Sequence, residues 1–358
     1  MKLANRLMTT GIGSLPLRDP QTALELVKSH FPECPHWPQL PVYPEEYFIT
    51  QFMNPLVELG LVVHPAGKNP RFTDSDPEFW QRAAAFYDRF LQSEEGRTAS
   101  EFFALPESAA RGFHAFLKDL KEKGAGGARY LKGQMIGPVT AGFQVFDHQG
   151  RAAFYNDQLR DIMTRCLQMQ AAWQTQQMVQ FGLPAMIFVD DAFMYTYGHH
   201  EFLSLRREEI VAALSTLFTA IREHGGIPGL HVCAQADWSL AFEAGVEVLS
   251  LDAYHNFTSL LAYTEQLERF LASGGVMAWG LIPTSDSCLE ETRETLAERF
   301  RGFVDTLAGK GLSREAILNS SIITPSCGTG TLTPDLARRV YDLTVDAAGL
   351  LKKTLQDW

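Results

Sequence analysis

No run of apolar residues in this sequence reaches the roughly 18 that a membrane-spanning helix needs, which argues against a transmembrane segment. The opening Met1-Lys2-Leu3-Ala4-Asn5-Arg6 leads into no apolar stretch of signal-peptide length. Cysteine is scarce. Five of them, an odd number widely spread, argue against a disulfide framework and for a cytoplasmic chain with reduced thiols. Positive charge is also short: 31 Lys and Arg stand against 42 Asp and Glu, for a net charge of −11. With no local basic patch, a nucleic-acid partner is not expected. Low-complexity segments are absent. Gly11-Ile12-Gly13 lacks the third glycine, opening a helix, that a dinucleotide fingerprint requires.

What is there is an ordinary globular composition, 46% hydrophobic over 358 residues, enough for two average domains or one large α/β barrel. Short apolar runs alternate with helical periodicity along most of the chain. Residues 8–16 read as a strand ending in a Gly/Ser/Pro turn, and Asp19 caps a helix over 19–29 with Pro20 in its first turn. Residues 37–42 are a second apolar piece, although Pro38 and Pro41 suit a central strand poorly. Between about 52 and 127 the rhythm breaks into a hairpin over 59–72 and helices over 77–91 and 107–123, which reads as an insertion and a lid. Beyond it, strands over 128–136, 186–189, 229–233, 246–251, 276–281 and 316–323 alternate with helices over 152–181, 204–223, 238–244, 259–271 and 290–308. A last helix covers 334–355. Eight strands in this alternation predict an α/β fold, a single (β/α)8 TIM barrel over residues 1–358 with a hairpin-plus-helices insertion after strand two.

Polar residues follow each apolar run, at the carboxyl ends where this architecture keeps its chemistry. In Gly229-Leu230-His231-Val232-Cys233, alternation puts His231 and Cys233 on one face. An imidazole and a thiolate so placed are half a tetrahedral zinc site, and Cys327, where another strand breaks into Gly328, is the third candidate. Asp252 ends the strand between them, as a fourth ligand or as a helix cap. Cys288 is a rival ligand, while Cys34 and Cys166 read as packing, and His199-His200 sits in a Tyr/Gly loop. Of Asp190-Asp191 only one carboxylate can face the barrel interior. That one can bind a substrate ammonium, act as a base, or hold a loop.

Thr10-Gly11-Ile12-Gly13-Ser14-Leu15-Pro16, Lys132-Gly133-Gln134-Met135-Ile136-Gly137-Pro138-Val139-Thr140, Val189-Asp190-Asp191, His231-x-Cys233 and Cys327-Gly328 together resemble the catalytic domain of cobalamin-independent methionine synthase. That family belongs to the superfamily shared with uroporphyrinogen decarboxylase. The resemblance covers nearly the whole chain and implies zinc held by His231, Cys233 and Cys327, with Asp252 where the family has a ligating glutamate. It also implies that Ile12, Ser14 and the strand-four Asp190 hold the substrate amino acid. A family glutamate after strand two has no clear match, and Gln39 stands near its place. The family's N-terminal barrel, which helps bind a polyglutamyl folate, has no counterpart in these residues. The expectation is therefore a zinc-dependent methyltransferase of methionine biosynthesis type, acting on a small thiol such as homocysteine. Its methyl donor is expected to be a corrinoid, free or on a partner protein. The alternatives are a uroporphyrinogen decarboxylase-like lyase, for which the arginine-rich loop is missing, and a non-catalytic ligand-binding barrel.

Overall fold

The computed structural model describes residues 6–65, 68–96, 101–202 and 204–354. In chain order the strands are β1 (Met8–Thr9), β2 (Val62–Val63), β3 (Arg71–Phe72), β4 (Leu131–Ile136), β5 (Ala185–Asp190), β6 (Ile227–Val232), β7 (Val248–Leu251), β8 (Val276–Ile282) and β9 (Ser321–Pro325). β2 and β3 form the antiparallel hairpin expected over 59–72, though its turn at 66–67 lies outside the described residues. The other seven strands make one parallel sheet in the order β1-β9-β8-β7-β6-β5-β4.

The two edges of that sheet approach each other through residues 36–39. Single parallel bridges join Ser14 to Gln39 on one side and His36 to Lys132 on the other. Four backbone hydrogen bonds hold the segment: Leu15 N to Gln39 O at 2.9 Å, Gln39 N to Gly13 O at 3.0 Å, Trp37 N to Lys132 O at 3.2 Å and Lys132 N to Pro35 O at 3.0 Å. Proline nitrogens at 35, 38 and 41 cannot donate, which is why pairing here stays short of a full ladder. The sheet is thus curled into a TIM-like barrel, with 36–39 in the second-strand position.

Period-two alternation sorts the side chains. Met8, Met186, Phe188, Val248, Ala278 and Ile322 form an apolar cluster in the barrel interior. Their neighbours Ile187, Val189, Leu230, Val232, Leu249 and Leu251 belong to the larger core under the helices.

The helices are α1 (Pro20–His30), α2 (Asn54–Glu58), α3 (Phe79–Gly96), α4 (Arg111–Lys123), α5 (Pro138–Gln144), α6 (Asp157–Val179), α7 (Arg207–Glu223), α8 (Trp238–Ala244), α9 (Ala253–Asn256), α10 (Thr264–Ala272), α11 (Arg293–Gly309), α12 (Arg314–Asn319) and α13 (Pro334–Thr354). Asp19 caps α1 as expected, accepting from Thr22 N at 2.7 Å. Two expectations are corrected. Residues 316–319 are helical, because the Ser313 hydroxyl accepts from Ala316 N and Glu315 sits in the first turn, so local capping outweighs the apolar run. The helix expected over 259–271 is a 3-10 stretch, Phe257–Tyr263, followed by α10.

The expected insertion also divides. α4 packs against α1, with Lys28 paired to Asp119, so it belongs to the outer helix ring. Its start presses on the second-strand segment: a Cβ on Gly112 would lie 1.7 Å from the Pro38 carbonyl oxygen. The preceding part attaches near the carboxyl ends of the strands. Gln39 Nε2 donates to Gln51 Oε1, Arg71 bridges Phe146 just after α5, and Tyr87 donates to Asp161 in the first turns of α6 at 2.6 Å.

His36 secures the second-strand segment from outside. Its Nδ1 lies 2.9 Å from the Trp37 carbonyl and its Nε2 lies 2.9 Å from the Tyr341 hydroxyl on α13. Burial, aided by the Lys132 charge, pushes its pKa down to about 3. Because the folded pKa lies below the unfolded value of about 6.5, stability is full above that value and is lost as pH falls from about 6.5 towards 3. Up to about 1.4 kcal/mol per pH unit should come from this one group. His36→Gln should flatten that part of the acid limb in urea unfolding at stepped pH. An unchanged limb would assign the acid sensitivity elsewhere.

Candidate metal centre

The carboxyl end of β6 supplies the centre's first two groups. His231 faces inward, in register with Asp190 on β5 and Ser250 on β7, and Cys233 follows one residue beyond the strand. Cys327 comes two residues after β9 ends at Pro325. One ligand atom from each of His231, Cys233 and Cys327 lies within 4.8 Å of the others. Among the described residues they are the only such group of three or more.

The donor set fits a soft divalent ion. His231 is buried, and its Nδ1 lies 2.9 Å from the Ser250 hydroxyl. With Nδ1–H donating to that oxygen, Nε2 keeps its lone pair, and Nε2 is buried without a hydrogen-bond partner. The Cys327 thiol and the His231 imidazole hold the Cys233 thiol well below the usual range, and Cys327 is pushed up in return. One imidazole nitrogen and two sulfurs, one of them already favouring the thiolate, are zinc's preferred donors.

Asp252 stands outside this set. Its carboxylate accepts from His255 N at 3.1 Å and lies 2.8 Å from His255 Nδ1, capping α9. Of the two roles the sequence allowed, the cap is present in the structure, and Asp252 is not among the three residues whose donor atoms converge. Cys288 is buried in a 3-10 turn away from the cluster, and Cys34 and Cys166 are buried in packing.

The adjacent aspartates divide as alternation requires. Asp191 points outward, accepting from Val139 N at 3.0 Å, Thr140 N at 2.7 Å and Thr140 Oγ1 at 2.6 Å, and so holds the first turn of α5. Asp190 points inward. Its Oδ1 is buried without a hydrogen-bond partner, and burial lifts its pKa to about 6 against the pull of His231 and Lys132. Thr324 Oγ1, inward on β9, is likewise buried and unpartnered.

Ile12, Ser14 and Gln39 gather where the extension of β1 meets residues 36–39. The Ile12 carbonyl accepts from Lys132 Nζ. Sequence reasoning passed over Lys132, which is buried on β4 with its ammonium 4.6 Å from the centre of the Phe188 ring. It also donates to Gln134 Oε1 at 3.2 Å, and Gln134 Nε2 donates to the Trp37 carbonyl at 3.0 Å. Burial lowers the Lys132 pKa to about 8. The alternation Leu131-Lys132-Gly133-Gln134-Met135 was the available signal, since in a closed barrel the polar face of a strand can be the interior one.

Cys233→Ser and Cys327→Ser should each lose zinc while the far-ultraviolet circular dichroism stays that of the wild type, because both lie past strand ends. Asp252→Asn should keep its zinc. Elemental analysis of the three purified variants checks this, and full zinc in either serine variant would sink the ligand assignment.

No protein-family model matches the sequence, and no curated protein matches it either. Among solved structures, the chain is similar to a Listeria monocytogenes protein provisionally named a vitamin-B12-independent methionine synthase, at 12% identity and a TM-score of 0.41. The similarity covers 66% of this chain and 69% of that one.

Proposed function

We propose that this chain is a zinc-dependent, methionine synthase-like transferase that moves a methyl or other alkyl group onto a small thiol at the barrel mouth. One observation carries the reading: the donor atoms of His231, Cys233 and Cys327 meet within 4.8 Å at the carboxyl ends of the strands, with His231 Nε2 buried and unpartnered. Three protein donors leave a fourth position for substrate, as catalytic rather than structural sites do. A zinc ion held there would favour deprotonation of a thiol that is otherwise only a few per cent thiolate at neutral pH, and so supply the nucleophile.

The chain's own residues prepare that encounter. Ser250 Oγ, 2.9 Å from His231 Nδ1, orients the imidazole, and by accepting from Nδ1–H would leave Nε2 free for the ion. Asp190 offers an unpaired carboxylate oxygen in the same interior, suited to the ammonium of an amino-acid thiol such as homocysteine. Ile12, Ser14 and Gln39 lie across the mouth as further substrate contacts. The segment that includes α2, β2, β3 and α3 narrows the entrance and limits water.

The test supplies zinc-loaded protein with homocysteine or a simple mercaptan, and with a methylated corrinoid or a methylated folate in parallel, and looks for the thioether by mass spectrometry. Thioether with either donor supports transfer. Protein that holds less than about 0.2 zinc per chain after loading counts decisively against it. A charge-assisted hydrogen bond contributes roughly 1.5–3 kcal/mol. Asp190→Asn should therefore weaken homocysteine binding about ten- to a hundredfold, leave mercaptan binding nearly unchanged, and keep the zinc. Equal loss for both thiols would remove the ammonium from the argument.

A further inference from the structure

The Cys327 loop is fastened to a single residue of the β1 extension. Thr329 donates to the Ser14 carbonyl twice, from N at 3.0 Å and from Oγ1 at 2.8 Å, and Gly330 N donates to Ser14 Oγ at 3.1 Å. The contact is close enough to exclude side chains. A Cβ on Gly328 would lie 2.2 Å from Ser14 Oγ, and one on Gly330 would lie 2.5 Å from Pro41 Cγ and 2.9 Å from Ser14 Cβ. The loop therefore rests on both sides of the place where the sheet edges meet. Ser14 extends β1, and Pro41 follows the 36–39 segment that Ser14 bridges through Gln39. That junction is the sparsest pairing of the barrel, held by single bridges where the other strands have continuous ladders.

From this geometry we infer that Ser14 is a positioning residue for Cys327, and that metal uptake and closure of the barrel junction are coupled through it. The inference rests on the metal reading above. An ion that binds Cys327 stabilises the fastened loop, and the fastened loop in turn presents Cys327 to the ion. By linkage the two effects are equal in size. Groups that orient a metal ligand typically contribute ten- to a hundredfold in metal affinity, and one neutral hydrogen bond belongs at the lower end of that range.

The test measures zinc affinity by competition with a chromogenic chelator for the wild type, Ser14→Ala and Gly330→Ala. Amide hydrogen exchange is followed with and without zinc. Ser14→Ala should bind zinc about tenfold more weakly, and Gly330→Ala more weakly still, since its methyl pushes the loop off Pro41. In the wild type, zinc should slow exchange at Leu15, Gln39 and Gly330, and in Ser14→Ala that slowing should shrink. A residue that merely supported the fold would not change the zinc-dependent part of the exchange. If Gly330→Ala fails to fold, the wild-type and Ser14→Ala exchange data decide alone. Ser14→Ala affinity within twofold of the wild type, or exchange at Leu15 and Gln39 indifferent to zinc, overturns the coupling while leaving the metal site standing. A wild-type protein that takes up no zinc overturns the metal reading, and the coupling with it.

Discussion

Curling a parallel sheet until its edges meet turns one face of every strand towards a common axis, where solvent is excluded. Any polar group on that face must be satisfied by another such group or by something bound. Most of the polar groups found there are satisfied: Lys132 by Ile12 and Gln134, Gln134 by Trp37, and His231 Nδ1 by Ser250. Those left over are informative, because an unpaired buried donor or acceptor is destabilising by about 1–3 kcal/mol. His231 Nε2, Asp190 Oδ1 and Thr324 Oγ1 remain unpartnered at the upper, carboxyl end of the interior. These are the positions on the inner face where a bound group would find free polar atoms.

The same alternation makes much of the cluster's geometry legible in the sequence. His231 and Cys233 are two apart on a strand, so their shared face follows from period two alone. Asp190 and Asp191 are one apart, so their separation follows too, although which of them faces inward depended on the register with His231. What stayed hidden has physical reasons. For Asp252 the sequence leaves ligand and cap open, because it ends a strand directly in front of a helix, and its carboxylate accepts from His255 N. Lys132 reads as a solvated residue because a charged side chain on an alternating strand usually is one. Only closure of the sheet makes that face an interior. Prolines weakened the second strand in the sequence, and they weaken it in the fold as well, where bridges replace a ladder.

Helix boundaries in the second half followed local capping more closely than apolar pattern. Asp237 caps α8 and Thr292 caps α11, with Thr295 completing a capping box. Where an apolar run and a cap disagreed, as at Ser313 ahead of α12, the cap decided. The block after the second strand mixes two kinds of structure for a similar reason. α4 carries the apolar stripe of a ring helix and docks on α1, whereas β3 bonds through its backbone to Phe146 after α5 and α3 reaches α6 through the Tyr87–Asp161 hydrogen bond.

The pairing of β1 with β9 sets an order of events during synthesis. Met8 and Thr9 are among the first described residues, yet their partners Ile322 and Ile323 emerge near the end of the chain. Contacts of such long sequence separation form slowly, since a very large loop must close before any bond rewards it. A nascent chain therefore waits with an open sheet edge, and His231 and Cys233 leave the ribosome well ahead of Cys327. The third sulfur reaches them only when β9 docks against β8 and β1. An ion that requires all three donors cannot nucleate the fold. Any ion held by all three would be taken up with, or after, the docking of β9.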